Sequence, residues 1–210
     1  MSYTAVVYRA CGYETPLWSF PNISEARWNR PGTWPAQYLS LHPMTPWAEM
    51  LRNLHLQTPD EARDLRLPVW AIRVSLDDDP LQIDFSTVGN YGLSPEDLVA
   101  DDRSACHALA EELVRSGQTS IVVPSAALPG TRNLVMFDPA VVVDYHVVAV
   151  APEDRPTAMT SQHGRCPEDL WESVHYQGSG AIHAGLEAHL DGDDFEFIQP
   201  LVTTSGLASV

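Results

Sequence analysis

Four polar side chains stand at or beside short apolar segments near the start of the chain. They are Arg9, Arg27, Tyr38 and Glu49. Arginines offer forked donors to a pyrophosphate, a tyrosine ring can stack on a flat ring, and a carboxylate can stabilise positive charge that develops on a ribose. The ordinary alternative is that the arginines form surface salt bridges, Tyr38 packs in the core and Glu49 is a solvated helix position. The residue types alone leave both interpretations open.

Glu49 is the least expected of these residues because its neighbours are apolar. Around it, on nearly every face of the predicted helix, stand Trp47, Ala48, Met50, Leu51 and Leu54. A carboxylate in these surroundings is expected to be at least partly shielded from water, and burying its charge without a partner is costly. The sequence therefore predicts either an arginine partner for Glu49 or a site that needs its charge.

The composition limits the kinds of chemistry that the chain can perform. With 210 residues, of which 44% are apolar, it is predicted to form one domain, or one domain with an appendage. Its formal charge of −16 argues against a nucleic-acid surface, which needs cationic groups to neutralise phosphates, and favours a basic protein partner. All twelve basic residues are arginine, so no lysine is available as a Schiff-base or phosphate-loop residue.

Common catalytic and targeting motifs are missing from the sequence. It contains no glycine-rich dinucleotide fingerprint, phosphate loop, nucleophile elbow or H-E-x-x-H zinc motif, and its three cysteines are scattered. We therefore predict no metal site and no disulfide framework. The first residues lack the features of a secretion signal and no stretch is long enough to span a membrane, so the chain is predicted to be cytoplasmic.

Hydrophobic periodicity and turn signals predict an α+β fold. The predicted strands are residues 3–9, 37–41, 69–76, 81–85, 120–123, 134–137 and 141–150. The predicted helices run from residue 45 or 46 to about 55, from 94, from 104 to 116, from 167 to 176 and from 182 to 190. An acidic turn at residues 77–80 predicts a hairpin of the third and fourth strands, and residues 11–35 are predicted to form a long loop. Since strands and helices do not alternate regularly, we expect mixed, mainly antiparallel β-sheets with flanking helices.

Two separated blocks of sequence resemble the RES domain family, which is named for an Arg, a Glu and a Ser. The first block comprises Arg27-Trp28-Asn29, Pro31-Gly32, Tyr38-Leu39-Ser40 and Glu49-Met50-Leu51-Arg52. The second comprises Val123-Pro124-Ser125-Ala126, Pro129-Gly130, Arg132-Asn133-Leu134-Val135 and Phe137-Asp138-Pro139. No single tripeptide is specific, but the ordered set at these separations is hard to obtain otherwise. Together with Arg9, the resemblance covers about residues 5–150.

The resemblance implies a fold similar to that of ADP-ribosyltransferases and diphtheria-type toxins. Family members are mostly toxins of bacterial toxin-antitoxin pairs, and characterised ones consume NAD by phosphorolysis or hydrolysis, or transfer ADP-ribose. Residues 1–150 are implied to form the NAD-binding catalytic domain. Residues 151–210 would then be a C-terminal extension, and whether it packs on the same domain is left open.

By position, the resemblance implies three catalytic and three substrate-binding residues. The catalytic residues are Arg27, Glu49 and Ser125, and the substrate-binding residues are Arg9, Tyr38 and Asn133. Glu49 would stabilise the cationic ribose as the bond to nicotinamide breaks, and the arginines would hold a pyrophosphate or an incoming phosphate. Ser125 would offer hydroxyl and backbone donors to a phosphate oxygen, and the alternative for Ser125 is a plain turn residue after a strand.

The implied partners are NAD as substrate, inorganic phosphate as co-substrate and a cognate antitoxin with a helix-turn-helix DNA-binding domain. No cofactor and no direct contact with nucleic acid or membrane is implied, and homodimerisation is left open. The chain departs from the family pattern because Glu25-Ala26 stand where many relatives carry glycines and Asp138 stands where Asn is commoner. Three functions remain under consideration: an NAD phosphorylase or glycohydrolase acting as a toxin, an ADP-ribosyltransferase that modifies a macromolecule, and a non-catalytic nucleotide-binding or interaction module.

Overall fold

A computed structural model of the chain describes residues 3–11, 25–137, 159–167 and 169–198. Residues 12–24 of the predicted long loop, and the strand predicted over residues 141–150, lie outside the described residues. In the described part of the chain, no helix is both long and apolar enough to cross a membrane.

A seven-stranded sheet forms the centre of the described structure. In chain order its strands are β1 (Tyr3–Ala10), β2 (Ala36–Ser40), β3 (Arg66–Leu76), β4 (Leu81–Gln82), β5 (Ser120–Pro124), β6 (Arg132–Phe137) and β7 (Met159–Arg165). Across the sheet the order is β4-β5-β6-β2-β1-β3-β7. The short β4 runs parallel to β5, and the other neighbouring pairs are antiparallel.

Helices flank this sheet, which confirms the predicted α+β fold. Within the described residues the α-helices are α1 (Thr45–Leu54), α2 (Pro59–Arg63), α3 (Ser104–Arg115) and α4 (Ala184–Asp191). Short 3₁₀ turns occur at Val88–Tyr91, Pro95–Leu98 and Leu170–Ser173. The predominance of antiparallel pairs also agrees with the prediction.

Alternating residues let both faces of the sheet pack against other elements. On β6, Val135 and Phe137 belong to the buried cluster that includes α3. Leu134 and Met136 point to the opposite face, where they pack in a cluster with Trp70 of β3. Successive side chains of a strand point to opposite faces of the sheet. The sequence of a central strand that is buried on both faces is therefore a continuous run of apolar residues.

Helix α1 follows β2 and is bounded by residues with clear start and stop signals. Pro46 lies in the first turn, where its missing N–H costs no helical hydrogen bond, and His55 ends the helix in the left-handed conformation with φ 54°. Ala48 and Leu51 are fully buried on the inner face of the helix. Their packing fixes the rotation of α1 and therefore the direction in which Glu49 points.

Three predicted elements differ from the structure. The predicted hairpin is wrong: β3 pairs with β1 and β7, so both its edges are occupied, and β4 lies at the opposite edge of the sheet beside β5. The helix predicted over residues 167–176 is a single 3₁₀ turn at Leu170–Ser173, because Asp169 has φ 64°, which a right-handed helix does not allow. The helix predicted to begin at residue 94 is also a single turn, Pro95–Leu98.

The C-terminal segment, residues 169–198, packs on the same core as the rest of the chain. Just before it, β7 pairs with β3 over seven residues. Leu170 and Val174 join the buried cluster of α1, and Leu186 of α4 joins the cluster of α3. Sequence patterns did not predict α2 or β7, and β7 connects the C-terminal segment directly to the sheet.

Replacing Gly130 by alanine is expected to destabilise the fold more than the same change at another left-handed glycine. Gly130 has φ 80°, and an added Cβ would overlap the backbone nitrogen of Phe197 in the C-terminal segment. Gly92 is the matched control, since it has φ 76° and no described atom lies within 4 Å of its added Cβ. Gly92→Ala should therefore cost only the backbone strain, about 1–2 kcal/mol.

Urea unfolding of the two variants measures the difference. Gly130→Ala should lose more stability than Gly92→Ala by about 1 kcal/mol or more, because overpacking adds to the backbone strain. Equal losses would show that Phe197 does not pack on Gly130 in solution.

Candidate functional site

A row of residues paired across the sheet forms the floor of the candidate site. Tyr8 of β1 lies opposite Ser40 of β2. Ser40 in turn lies opposite Asn133 of β6, which lies opposite Val123 of β5. Tyr38 precedes Ser40 by two residues and therefore faces the same side of the sheet. All five residues line one cleft.

The cleft has a volume of about 360 Å³, which is within the usual range of small-molecule sites. The charged residues among its described lining are Arg9, Glu25, Arg27, Glu49, Arg52 and Arg103. Four guanidinium groups thus meet two carboxylates in a chain whose formal charge is −16. A concentration of one sign of charge in a cleft focuses the field there and attracts the opposite charge, so the cleft is suited to anions.

Five of the six site residues predicted from the sequence line this cleft. They are Arg9, Arg27, Tyr38, Glu49 and Asn133. The sixth, Ser125, lies directly behind Glu49. Their chemical roles stay predictions. In the described part of the chain, no group of three or more His, Cys, Asp or Glu side chains could hold a metal ion.

Glu49 is half-buried and is held by two neutral hydrogen-bond donors. Ser125 Oγ donates to Glu49 Oε1 at 3.3 Å, and Asn133 Nδ2 donates to the same oxygen at 3.2 Å. Among the described residues, Glu49 Oε2 accepts no hydrogen bond and no arginine forms an ion pair with the carboxylate. Hydrogen bonds from neutral groups stabilise a carboxylate without cancelling its charge. The negative charge of Glu49 is therefore available at the cleft.

Ser125 serves the turn after β5 and not the open cleft. Its side chain is fully buried, and its Oγ accepts hydrogen bonds from the backbone N–H groups of Ala127 and Leu128, each at 3.2 Å. With both lone pairs engaged, the hydroxyl proton is directed to Glu49. In this structure the hydroxyl donates to Glu49, and its expected contact with a phosphate oxygen stays a prediction.

Tyr38 joins the cleft to the loop that carries Arg27. Its hydroxyl donates to Asn29 Oδ1 at 2.7 Å and accepts a hydrogen bond from the backbone N–H of Trp28 at 2.9 Å. Burial raises the pKa of the Tyr38 hydroxyl well above its ordinary value, and the bond from Trp28 opposes this only in part. The hydroxyl therefore stays protonated and holds the loop in place.

Backbone carbonyl groups orient two of the arginines in the cleft. The Arg27 guanidinium donates to the carbonyl oxygens of Asp97 at 3.4 Å and Val99 at 3.5 Å. The Arg103 guanidinium donates to the carbonyl oxygen of Glu25 at 3.3 Å. Carbonyl groups carry no net charge, so these contacts position the guanidinium groups and leave their positive charge in the cleft.

Arg52 is a residue of the site that sequence analysis did not single out. It is 2% exposed, and its guanidinium donates to the carbonyl oxygen of Ala126 at 2.6 Å, to Asp101 Oδ1 at 3.0 Å and to the carbonyl oxygen of His175. Burial lowers the pKa of the Arg52 guanidinium, and the positive charge of a neighbouring arginine lowers it further. Arg52 follows Glu49 by three residues, a spacing that places both on one side of a helix and could have identified it.

Replacing Tyr38 by phenylalanine is expected to destabilise the fold by about 1–3 kcal/mol. The change removes the acceptor of the buried Trp28 N–H and the donor to Asn29. Urea unfolding followed by tryptophan fluorescence measures the loss. Tyr91→Phe is the matched control, because Tyr91 packs on the same core cluster and its hydroxyl makes no hydrogen bond to the described residues. Equal stability of the two variants would contradict a structural role for the Tyr38 hydroxyl.

Comparisons with known proteins agree with this architecture. Among solved structures, the chain is similar to one in the crystal structure of the M. tuberculosis MbcT-MbcA toxin-antitoxin complex, with 20% sequence identity and a TM-score of 0.58. The similarity covers 83% of this chain and 90% of that chain. A comparison with curated proteins finds no match. The RES domain profile matches residues 6–159, which is most of the chain, and this chain therefore belongs to the RES domain family.

Proposed function

We propose that this RES domain cleaves the bond between nicotinamide and ribose in NAD and acts as the toxin of a toxin-antitoxin pair. The observation that carries the proposal is the carboxylate of Glu49, which Ser125 and Asn133 hold beside a cleft that contains four arginines. Phosphorolysis by inorganic phosphate is the proposed reaction. Hydrolysis is the same reaction with water in the place of phosphate.

The arginines of the cleft support binding of the phosphate groups. Guanidinium groups donate two parallel hydrogen bonds to phosphate oxygens, and Arg9 and Arg27 are proposed to hold the pyrophosphate of NAD or the incoming phosphate. Both residues line the cleft with Glu49. The ring of Tyr38, which lines the same cleft, is proposed to stack on a flat ring of the dinucleotide.

Cleavage of the nicotinamide-ribose bond depends more on a negative charge near the ribose than on an acid that protonates the leaving group. In NAD the nicotinamide nitrogen is positively charged, so the C–N bond breaks with its electron pair moving to that nitrogen and nicotinamide leaves as a neutral molecule. Positive charge then develops on the ribose in an oxocarbenium-like state. The Glu49 carboxylate stabilises this charge, and a phosphate oxygen bonds to the anomeric carbon to give ADP-ribose phosphate. A single fixed carboxylate suits this reaction, and Ser125 need not be a nucleophile.

Asn133 is proposed to contact the ribose as well as Glu49. Its Nδ2 donates to Glu49 at 3.2 Å, and its Oδ1 is buried with no hydrogen-bond partner among the described residues. A buried acceptor without a donor is unfavourable, and such groups in native proteins commonly have a functional explanation. A ribose hydroxyl that donates to Asn133 Oδ1 would satisfy it and would place the anomeric carbon near Glu49.

An antitoxin is the proposed protein partner. The similar solved structure is that of a toxin-antitoxin complex, and the family resemblance implies a partner with a helix-turn-helix DNA-binding domain. The formal charge of −16 favours a basic contact surface on that partner, because complementary charges speed association and exclude wrong partners. The cytoplasm, which contains NAD and phosphate, is the proposed compartment.

The direct test is incubation of purified, antitoxin-free protein with NAD in the presence and absence of phosphate. Nicotinamide with ADP-ribose phosphate is the expected product pair, and nicotinamide with ADP-ribose would indicate hydrolysis. Label from NAD that is retained on a macromolecule would indicate ADP-ribosyl transfer instead. Intact NAD under both conditions would overturn the proposal.

Replacing Glu49 by glutamine is expected to lower kcat by about 10²- to 10³-fold, because the variant keeps the shape of the side chain and loses the charge that stabilises the ribose. Initial rates of nicotinamide release measure the effect. Glu111→Gln is the matched control, since Glu111 is an exposed residue of α3 paired with Arg115 and should leave kcat unchanged. Wild-type turnover by Glu49→Gln would exclude a role for the carboxylate charge.

Replacing Arg27 by alanine is expected to raise the KM for NAD by roughly tenfold or more, because a charge-assisted hydrogen bond to phosphate is worth about 1.5–3 kcal/mol. Arg63→Ala is the control, since Arg63 is exposed and pairs with Asp60 on α2. The KM of the wild type should also rise with salt, and that rise should be smaller for Arg27→Ala. An unchanged KM in Arg27→Ala would remove Arg27 from the phosphate site.

A further inference from the structure

The turn that contains Ser125 is held from behind by the C-terminal segment, which lies beyond the residues matched by the RES domain profile. His183, the residue just before α4, is 2% exposed, and its Nε2 lies 3.0 Å from the carbonyl oxygen of Ser125. The two residues are 58 positions apart in the chain. The contact therefore links two segments that no local pattern connects.

The hydrogen bonds of His183 define where its proton lies. His183 Nδ1 accepts a hydrogen bond from the backbone N–H of Leu186 at 3.3 Å, so Nδ1 carries no proton. A neutral imidazole then carries its proton on Nε2, which donates to the Ser125 carbonyl. Burial lowers the pKa of His183 to about 4, so the ring is neutral near pH 7 and this tautomer persists.

Two further donors hold the same turn. The carbonyl oxygen of Ala126 accepts a hydrogen bond from the Arg52 guanidinium at 2.6 Å, and Arg52 also donates to the carbonyl oxygen of His175. The carbonyl oxygen of Ala127 accepts a hydrogen bond from the backbone N–H of His175 at 2.9 Å. Three successive carbonyl groups of the turn are thus held by His183, by Arg52 and by the His175 backbone. The direction of the Ser125 hydroxyl depends on the position of this turn.

We propose that His183 is a positioning residue of the reaction, which fixes the turn so that the Ser125 hydroxyl holds Glu49 Oε1 in its productive orientation. This inference rests on the proposed function, because Glu49 acts there on the ribose. It extends the site beyond residue 159, where the match to the RES domain ends. His183 then supports the catalytic site from within the C-terminal segment.

If His183 only stabilised the start of α4, its variants would have different effects. As the N-cap residue of α4, His183 accepts the Leu186 N–H and so stabilises the helix start. His183→Asn retains an acceptor near the Nδ1 position and is a favoured N-cap, but its side chain is too short to reach the Ser125 carbonyl. His183→Gln retains an amide N–H near the Nε2 position and is a poorer cap. The two variants therefore separate positioning from capping.

The experiment measures kcat and KM for NAD cleavage in both variants, together with their thermal unfolding. Positioning predicts that His183→Asn lowers kcat by roughly 10- to 100-fold with KM within about twofold of the wild type. His183→Gln should keep kcat within about threefold of the wild type although its α4 cap is weaker. His189→Asn, which changes a histidine within α4, is the control and should leave kcat unchanged. Wild-type kcat in His183→Asn, or an equal fall in both His183 variants, would overturn the inference.

A spectroscopic measurement tests the inference independently of turnover. The ¹³C carboxyl resonance of Glu49 should shift in His183→Asn and in Ser125→Ala, because both disturb the hydrogen bond to Glu49 Oε1, and should stay in place in His183→Gln. If the wild type cleaves no NAD, the proposed function fails and this resonance still decides whether His183 positions Glu49. An unshifted resonance in a folded His183→Asn variant would overturn the positioning role.

Discussion

The groups that hold the Glu49 carboxylate at the cleft are neutral. Ser125 and Asn133 both donate to Oε1. An arginine in their place would fix the carboxylate equally well, but it would compete for its charge with the cationic ribose of the proposed reaction. The rotation of α1, the register of β6 and the turn after β5 each contribute one part of this arrangement. A shift in any of the three would move the carboxylate relative to the floor of the cleft.

Two arginines of the cleft, Arg27 and Arg103, are also held by neutral groups. Arg27 and Arg103 donate to backbone carbonyl groups, and these carbonyls come from the 3₁₀ turn before α3 and from the loop before β2. Arg52 differs because it also pairs with Asp101, and it serves the turn after β5. The cleft thus places guanidinium groups held by backbone carbonyls beside a carboxylate held by Ser125 and Asn133. This arrangement suits the proposed substrate, a dinucleotide with anionic phosphates and a cationic ring.

The sequence predicted most of the fold and five residues of the cleft because these depend on local periodicity and on ordered motifs. Strong apolar patterns identified β6, α1 and α3. The pattern of β7, MTSQHGR, is too polar to mark a strand, and its position depends on pairing with β3. The buried orientation of Ser125 and the contribution of Arg103 and His183 depend on contacts between distant segments. No spacing in a single sequence identifies such contacts, because the turn, the loop and the C-terminal segment meet only in the folded chain.

Two of the three donors that hold the turn, the His175 backbone and His183, come late in the chain. The described lining of the cleft ends with Val135, whereas His175 and His183 follow 40 and 48 residues later. Translation proceeds from the N-terminus. A ribosome-bound intermediate therefore contains every described residue of the cleft lining before it contains His175 and His183. Under the proposed function, a nascent toxin would remain poorly active until residue 183 has left the exit tunnel.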